Sequence, residues 1–227
     1  MSGSYGSTGD LPRELPVFPL TGVLLLPRGR LPLNIFEKRY LAMFDDAIGT
    51  DRLIGMIQPS DPGAGDPSTG EKGPPLYSVG CAGRITSFSE TDDGRYLVAL
   101  DGVARFRIVE ELELRRGYRR VVADWSAYAA DLSDADLAEK GGAVDRHRLI
   151  ELLQAYFRQH QLSANWDAIG QTPDERLVTS LAMICPFEPP EKQALLEAGC
   201  LSDRAKLMMS LLEIAIAGHG SGDSPRH

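Results

Sequence analysis

The sequence predicts an α+β fold, strand-rich in front and helical behind. Three observations carry the prediction. Between residues 15 and 35, short apolar runs alternate with proline and glycine, which cut them too short for helices. From residue 76 to 125 the apolar positions fall at period-two spacing around an Asp-Gly turn. Beyond Trp125 they recur at three- and four-residue steps between helix start and stop signals.

Residues 17–20, 23–26 and 31–35 read as three strands. Phe36, Tyr40, Met43, Phe44, Ala47 and Ile48 then mark one face of an amphipathic helix, with Asn34 and Glu37 as a variant capping box. Residues 53–58 form a buried strand, and 59–75 a long proline- and glycine-rich loop. Thr91-Asp92-Asp93-Gly94 joins strands 87–90 and 95–100, and Phe106, Ile108, Val121 and Ala123 continue the alternation. Leu149, Leu152, Leu153, Tyr156 and Phe157 line a helix over 145–161. Thr172-Pro173-Asp174-Glu175 reads as a capping box with proline at the first helical position, opening a helix that runs to about Ile184. A short helix over 191–198 stops at Gly199. Ser202 caps a last one over 203–217, with Leu207, Leu211, Ile214 and Ala215 facing inward. Helices this short are not stable alone in water, so they must pack on one another and on the β part. The expected division is a β-rich part over 13–127 and a helical part over 128–217, with flexible tails at 1–12 and 218–227.

Several segments also carry a resemblance. Pro16-Val17-Phe18-Pro19-Leu20, Leu25-Leu26-Pro27, Leu31-Pro32-Leu33 and Phe36-Glu37-Lys38-Arg39-Tyr40 resemble the opening of the Lon N-terminal domain. Gly83-Arg84-Ile85 with Asp93-Gly94-Arg95-Tyr96-Leu97-Val98 resembles its central hairpin. Gly102-Val103-Ala104-Arg105-Phe106-Arg107-Ile108 resembles its G-x-x-R-x-x-I strand, and Glu191-Lys192-Gln193-Ala194-Leu195-Leu196-Glu197 a late helix. That domain is the substrate-recognition part of the Lon protease, and it also occurs alone and in cereblon. The resemblance implies a β-rich PUA-like pseudobarrel followed by an α-helical bundle, and a role in binding polypeptide.

Composition is that of an ordinary globular protein, with 227 residues, 43% hydrophobic and 25% charged. A net charge of −8 disfavours general affinity for nucleic acid or anionic membrane. The one candidate basic patch is Arg115, Arg116, Arg119 and Arg120 around Gly117, with Glu110, Glu111 and Glu113 beside it to balance it. No stretch approaches the ~20 apolar residues of a membrane helix. Residues 1–10 lack the basic and apolar regions of a secretory signal, and three scattered cysteines do not make a disulfide framework. The expectation is a cytoplasmic protein.

The chemistry of a complete Lon protease is not legible here. The nearest string to a phosphate loop, from Gly65 to Gly73, has Glu71 where the lysine belongs and no hydroxyl after it. The five lysines, Lys38, Lys72, Lys140, Lys192 and Lys206, have no serine in a nucleophile setting, and there is no Gly-x-Ser-x-Gly elbow. Cys81, Cys185 and Cys200 read as structural thiols. His147 and His160 lack the spacing of a helical zinc site, and the paired Cys-x-x-Cys motifs of cereblon are missing. The adjacent carboxylates Asp45-Asp46, Asp92-Asp93 and Glu110-Glu111 point apart on a helix or strand. No catalytic residue, cofactor or metal site is expected.

Recognition remains. One reading places Phe36 and Tyr40 in the core, with Glu37 or Arg39 in a surface ion pair. The functional reading places Arg39, Tyr40 and Arg105 at the rim of a groove that receives an extended peptide by main-chain pairing. The expected function is a non-catalytic polypeptide-binding module, an adaptor presenting unfolded or degron-bearing proteins to a protease. The alternatives are an RNA-binding PUA-like module, which needs a basic face with stacking aromatics, and a small hydrolase whose site is assembled from distant residues.

Overall fold

The computed structural model describes residues 5–61, 73–133 and 143–220. Its strands are β1 (Glu14–Pro19), β2 (Arg30–Ile35), β3 (Leu53–Ile57), β4 (Val79–Glu90), β5 (Tyr96–Glu111) and β6 (Arg119–Asp124). Its α-helices are α1 (Lys38–Ile48), α2 (Arg146–Gln159), α3 (Trp166–Gln171), α4 (Asp174–Ile184), α5 (Pro189–Glu197) and α6 (Leu201–Gly220). The fold is therefore α+β, as its composition of elements predicts.

The strands form one mixed sheet in the order β2-β5-β4-β3-β1-β6, and β6 returns to pair with β5. That last pairing closes a barrel and leaves β2 outside it, an edge strand held on β5 by register pairs from Arg30↔Asp101 to Ile35↔Tyr96. Strand β5 serves both ends. Its first half carries β2, and its second half carries β6 beyond an irregularity between Ile108 and Glu110, the kind of bulge that bends a strand into closure. The β4–β5 hairpin turns at Gly94, whose φ of +77° is the left-handed conformation that glycine adopts without strain.

One core lies inside the barrel, built on Leu15, Val17, Phe106, Val121 and Trp125. The other lies outside it, where Leu24, Leu25, Leu26, Met43 and Phe44 of the β half meet Leu149, Leu153, Val178, Leu195 and Met208 of the helices. This second core crosses residue 127, so strands and helices exclude water together.

Several expectations change. Residues 23–26 are not a ladder strand. They run buried along the sheet, and the turn after them docks on β5 at Gly102, with Arg28 N–H donating to Gly102 O and Gly102 N–H to Gly29 O, each at 2.8 Å. A Cβ at Gly102 would stand 2.0 Å from the Leu26 carbonyl oxygen, so only glycine permits this approach. Asn34 does not cap α1. Its pairing with Leu97 keeps the chain extended, the helix opens at Lys38, and Phe36 projects into solvent at 65% exposure.

Residues 5–12 are not a loose tail. Leu11 is buried, Thr8–Asp10 form a 3-10 turn, and the Trp125 indole donates to Pro12 O at 3.1 Å. Thr172 does not cap α4 either; its hydroxyl donates back to Ala168 O at 2.8 Å and closes α3, a helix the apolar spacing does not reveal. Helix α6 starts before Ser202, and Ile214 points outward. Residues 1–4, the string from Gly65 to Lys72, Lys140 and residues 221–227 lie outside the described residues.

Candidate functional site

Of the three residues expected at a peptide rim, Arg39 and Tyr40 touch each other, while Arg105 is held by a different set of partners. Tyr40 is 6% exposed, its ring 4.2 Å from that of Phe18, and burial pushes its phenol above the ordinary range. Arg39 stacks over that ring at 4.6 Å and pairs with Glu37 at 2.8 Å, so the surface ion pair is the reading that the geometry follows. Arg105 is 6% exposed, and all three nitrogens of its guanidinium are engaged. Nε and Nη2 donate to the two Asp131 oxygens at 2.8 and 2.7 Å, and Nη1 donates to Leu196 O and Ala198 O at 3.1 and 2.7 Å. The face of Arg105 rests on Tyr128 at 4.4 Å. It is an interior tie between β5, the 3-10 segment Ser126–Leu132 and the end of α5, where a cation suits the terminal carbonyls. Tyr40 is packed in the core, and Arg105 is taken up by Asp131 and the end of α5.

Other sequence candidates are also committed to structure. Lys192 is buried, its ammonium donating to Gly22 O at 2.8 Å and Met183 O at 3.2 Å, and burial pushes its pKa down. Beside it Gln193 donates to Val79 O at 3.1 Å, pinning α5 to the sheet. Burial pushes the Cys81 thiol up and the Cys185 thiol up to about 11, the opposite of an activated nucleophile. The four arginines of the candidate basic patch are each paired. Arg115 and Arg116 reach Asp46, Arg119 reaches Glu111 and Arg120 reaches Glu14. Burial raises the Asp46 carboxyl, but hydrogen bonds from Tyr118 and Arg116 and the neighbouring guanidiniums outweigh it and hold it below the usual range. Such a surface offers little unbalanced charge to phosphates.

An open groove lies at the seam between sheet and helices. Arg28, Gly29 and Arg30, entering β2, form one wall; Pro173, Arg176, Thr179, Met183 and Ile184 of α4 and its approach form the other, around about 460 Å³. Ile184 is 71% exposed, an apolar side chain left uncovered in a groove lined by three arginines, Arg28, Arg30 and Arg176. Deeper in, and sharing Arg28, Glu175 and Thr179 as walls, a second cavity of about 60 Å³ reaches Arg105, Asp131, Cys200 and Arg204. Arg28 spans the seam, donating to Glu175 at 3.2 Å and to Ser133 O at 3.1 Å. Sequence reading missed this groove because its walls are 147 positions apart at the Arg28–Glu175 contact, and Pro27-Arg28-Gly29-Arg30 carries no periodic signal.

A closed barrel packed on a helical layer, with an open mixed polar and apolar groove at the junction, defines an α+β binding domain. The particular family is clear: the chain belongs to the ATP-dependent protease La (LON) substrate-binding domains, whose family profile matches residues 14–213. It is 27% identical over 208 residues to Lon protease 2 of Myxococcus xanthus and 25% identical over 209 residues to the Lon protease of Anaeromyxobacter dehalogenans. Each match takes in 89% of this chain but only 24% and 23% of the relative, so the chain spans about a quarter of the length of these proteases. The fold matches the Lon N-terminal domain protein from Xanthomonas campestris with a TM-score of 0.60 at 20% identity, covering 87% of this chain and 97% of that one. It matches the N-terminal domain of Mycobacterium avium complex Lon protease at 0.58 and 15%, covering 91% and 99%. What the chain holds is the substrate-recognition part, which is the non-catalytic part of such an enzyme. Among the described residues no helix is long and apolar enough to cross a membrane.

Proposed function

We propose that this domain binds unfolded or degron-bearing polypeptide in the seam groove and acts as an adaptor that hands it to a protease. The observation that carries this reading is the groove itself. Its apolar wall, Met183 and Ile184, faces Arg28 and Arg30, so a bound segment can place an apolar side chain on one wall and carbonyls or carboxylates on the other. The groove begins where β2 begins, and β2 is the end strand of the sheet, so its outer edge is available for main-chain pairing with an extended segment. A cytoplasmic setting belongs to this reading and is consistent with the three unpaired thiols, Cys81, Cys185 and Cys200.

The test is fluorescence anisotropy with a labelled, denatured client fragment. Ile184→Asp removes an exposed anchor, so affinity should drop about tenfold, the scale of a modest hot spot, with the melting temperature unchanged. Arg39→Ala examines the surface beside α1. A smaller loss is expected there, because Glu37 and Tyr40 already hold that guanidinium. Unchanged binding by folded Ile184→Asp, with a clear loss in Arg39→Ala, would move the site to α1.

A further inference from the structure

Among the described residues, the lining of the inner cavity carries more positive than negative side chains. Three guanidiniums line it, those of Arg28, Arg105 and Arg204, against the carboxylates of Asp131 and Glu175. Arg105 is paired with Asp131 at 2.7 Å and Arg28 with Glu175 at 3.2 Å. Arg204 is left over. It is 8% exposed; its Nε donates to Leu195 O at 2.9 Å, and its two terminal nitrogens make no hydrogen bond among the described residues. Neither nitrogen is fully cut off from solvent, and Arg204 lines the cavity. Thr179, 5% exposed, lines the same cavity, and its hydroxyl likewise makes no hydrogen bond among the described residues. A buried guanidinium with idle donors is costly unless an anion meets it.

The third contributor is backbone. Cys200 and Leu201 line the cavity where the 20-residue helix α6 begins. The first intrahelical bond is from Arg204 N–H to Cys200 O, so the amides of Leu201, Ser202 and Asp203 have no partner within the helix. Asp203, the acidic residue of this turn, is exposed and is not among the residues lining the cavity.

The geometry points to a carboxylate subsite at the inner end of the groove, formed by Arg204, Thr179 and the start of α6, which takes the terminal carboxylate or an acidic side chain of a bound polypeptide. The inference rests on the polypeptide-binding reading above and names one chemical group that it selects. A guanidinium presents a planar fork of donors that matches the two oxygens of a carboxylate, and the helix start adds favourable dipole charge. About 60 Å³ accommodates such a headgroup while the rest of the chain lies in the outer groove. Glu175 stays at the mouth, held by Arg28, and excludes a second anion.

The experiment uses the full chain with a labelled, unstructured peptide in three forms: free C-terminal acid, C-terminal amide, and amide with one internal glutamate. Either carboxylate form should bind about tenfold tighter than the plain amide, the range of one or two charge-assisted hydrogen bonds; which of them does so identifies the source. Thr179→Val should narrow that difference several-fold, and Arg204→Gln should abolish it. Arg204 also holds the Leu195 carbonyl, so Thr179→Val is the variant that decides if Arg204→Gln does not fold. In parallel, sodium acetate titrated by amide NMR should give saturable shifts at Thr179, Cys200 and Leu201. Equal affinity for all three peptides would overturn the subsite and leave the groove intact. Binding of none would overturn the polypeptide reading, and the acetate titration then decides the subsite alone. Absence of saturable acetate shifts, or saturation by inorganic phosphate only, would refute a carboxylate site.

Discussion

Arg105→Met is the sharpest test of how the two halves of the fold are joined. The substitution keeps an unbranched side chain but removes a guanidinium that satisfies both oxygens of Asp131 and two carbonyls at the end of α5. Asp131 is then a buried carboxylate without its cation. Breaking a buried pair from one side costs about 3–5 kcal/mol, because the remaining charge cannot regain water. The Leu196 and Ala198 carbonyls add about 1 kcal/mol or more between them if they stay dry. At roughly 2–4 °C per kcal/mol for a domain of this size, a total of about 4–6 kcal/mol should lower the melting temperature by about 8–24 °C. Chemical denaturation of wild type, Arg105→Met, Asp131→Leu and the double variant forms the cycle. The double variant removes the orphaned charge as well, so it should be more stable than either single one. A loss below about 1 kcal/mol in Arg105→Met, or a double variant as unstable as the sum of the singles, would refute the buried tie. A folded variant at the wild-type melting temperature that had lost client binding would restore Arg105 to a binding rim.

Tyr40→Ala should destabilise by about 3–5 kcal/mol in the same assay, since a buried ring against Phe18 is lost; a stable Tyr40→Ala protein with weakened binding would show the opposite. Stability should also fall at alkaline pH through Cys185. Its thiol is raised from 9.0 to about 11 by burial in the folded state, so the unfolded chain loses its proton first, and the stabilisation present below pH 9 disappears as pH rises toward 11. Cys185→Ala should flatten that part of the profile measured by urea denaturation, and an unchanged slope would show that Cys185 is not responsible. Thiol titration of the native protein at neutral pH should modify the half-exposed Cys200 and spare the buried Cys81 and Cys185 until denaturant is added.

How far the sequence reveals the fold depends on whether a signal is local. The β4–β5 hairpin is legible because Asp93-Gly94 supplies the positive φ where the chain turns. Helix α2 is legible because Leu149, Leu152, Leu153 and Tyr156 share a face and Asp145 caps it through the Arg148 amide. Errors occur where a local preference loses to a distant partner. Asn34 and Glu37 spell a cap, yet β2 needs Asn34 opposite Leu97. Residues 23–26 look like a strand, yet the ladder position beside β5 is taken by β2, so they pack as an apolar strap instead. Phe157 follows the helix face but stacks at its margin on Trp166 at 5.6 Å rather than in the centre.

The candidate site was less legible than the fold, and the reason is physical. The segments that carry the family resemblance are occupied with holding the molecule together. Gly102 admits the Leu26 carbonyl, Arg105 locks Asp131 and the end of α5, and Lys192 and Gln193 tie α5 to the loop at Gly22 and the strand at Val79. Such residues form recognisable strings because each must satisfy several fixed partners. The groove imposes no comparable pattern. Arg30, Arg176 and Ile184 need only face the same space, and two of the groove's own bonds, from Arg28 to Glu175 and to Ser133, span 147 and 105 positions of sequence. It follows that substitutions at the exposed wall can reshape the groove without disturbing the core, whereas substitutions in the resemblance strings alter the core first. The strings that identify the family keep the seam in place, and on the reading proposed above the seam is where recognition occurs.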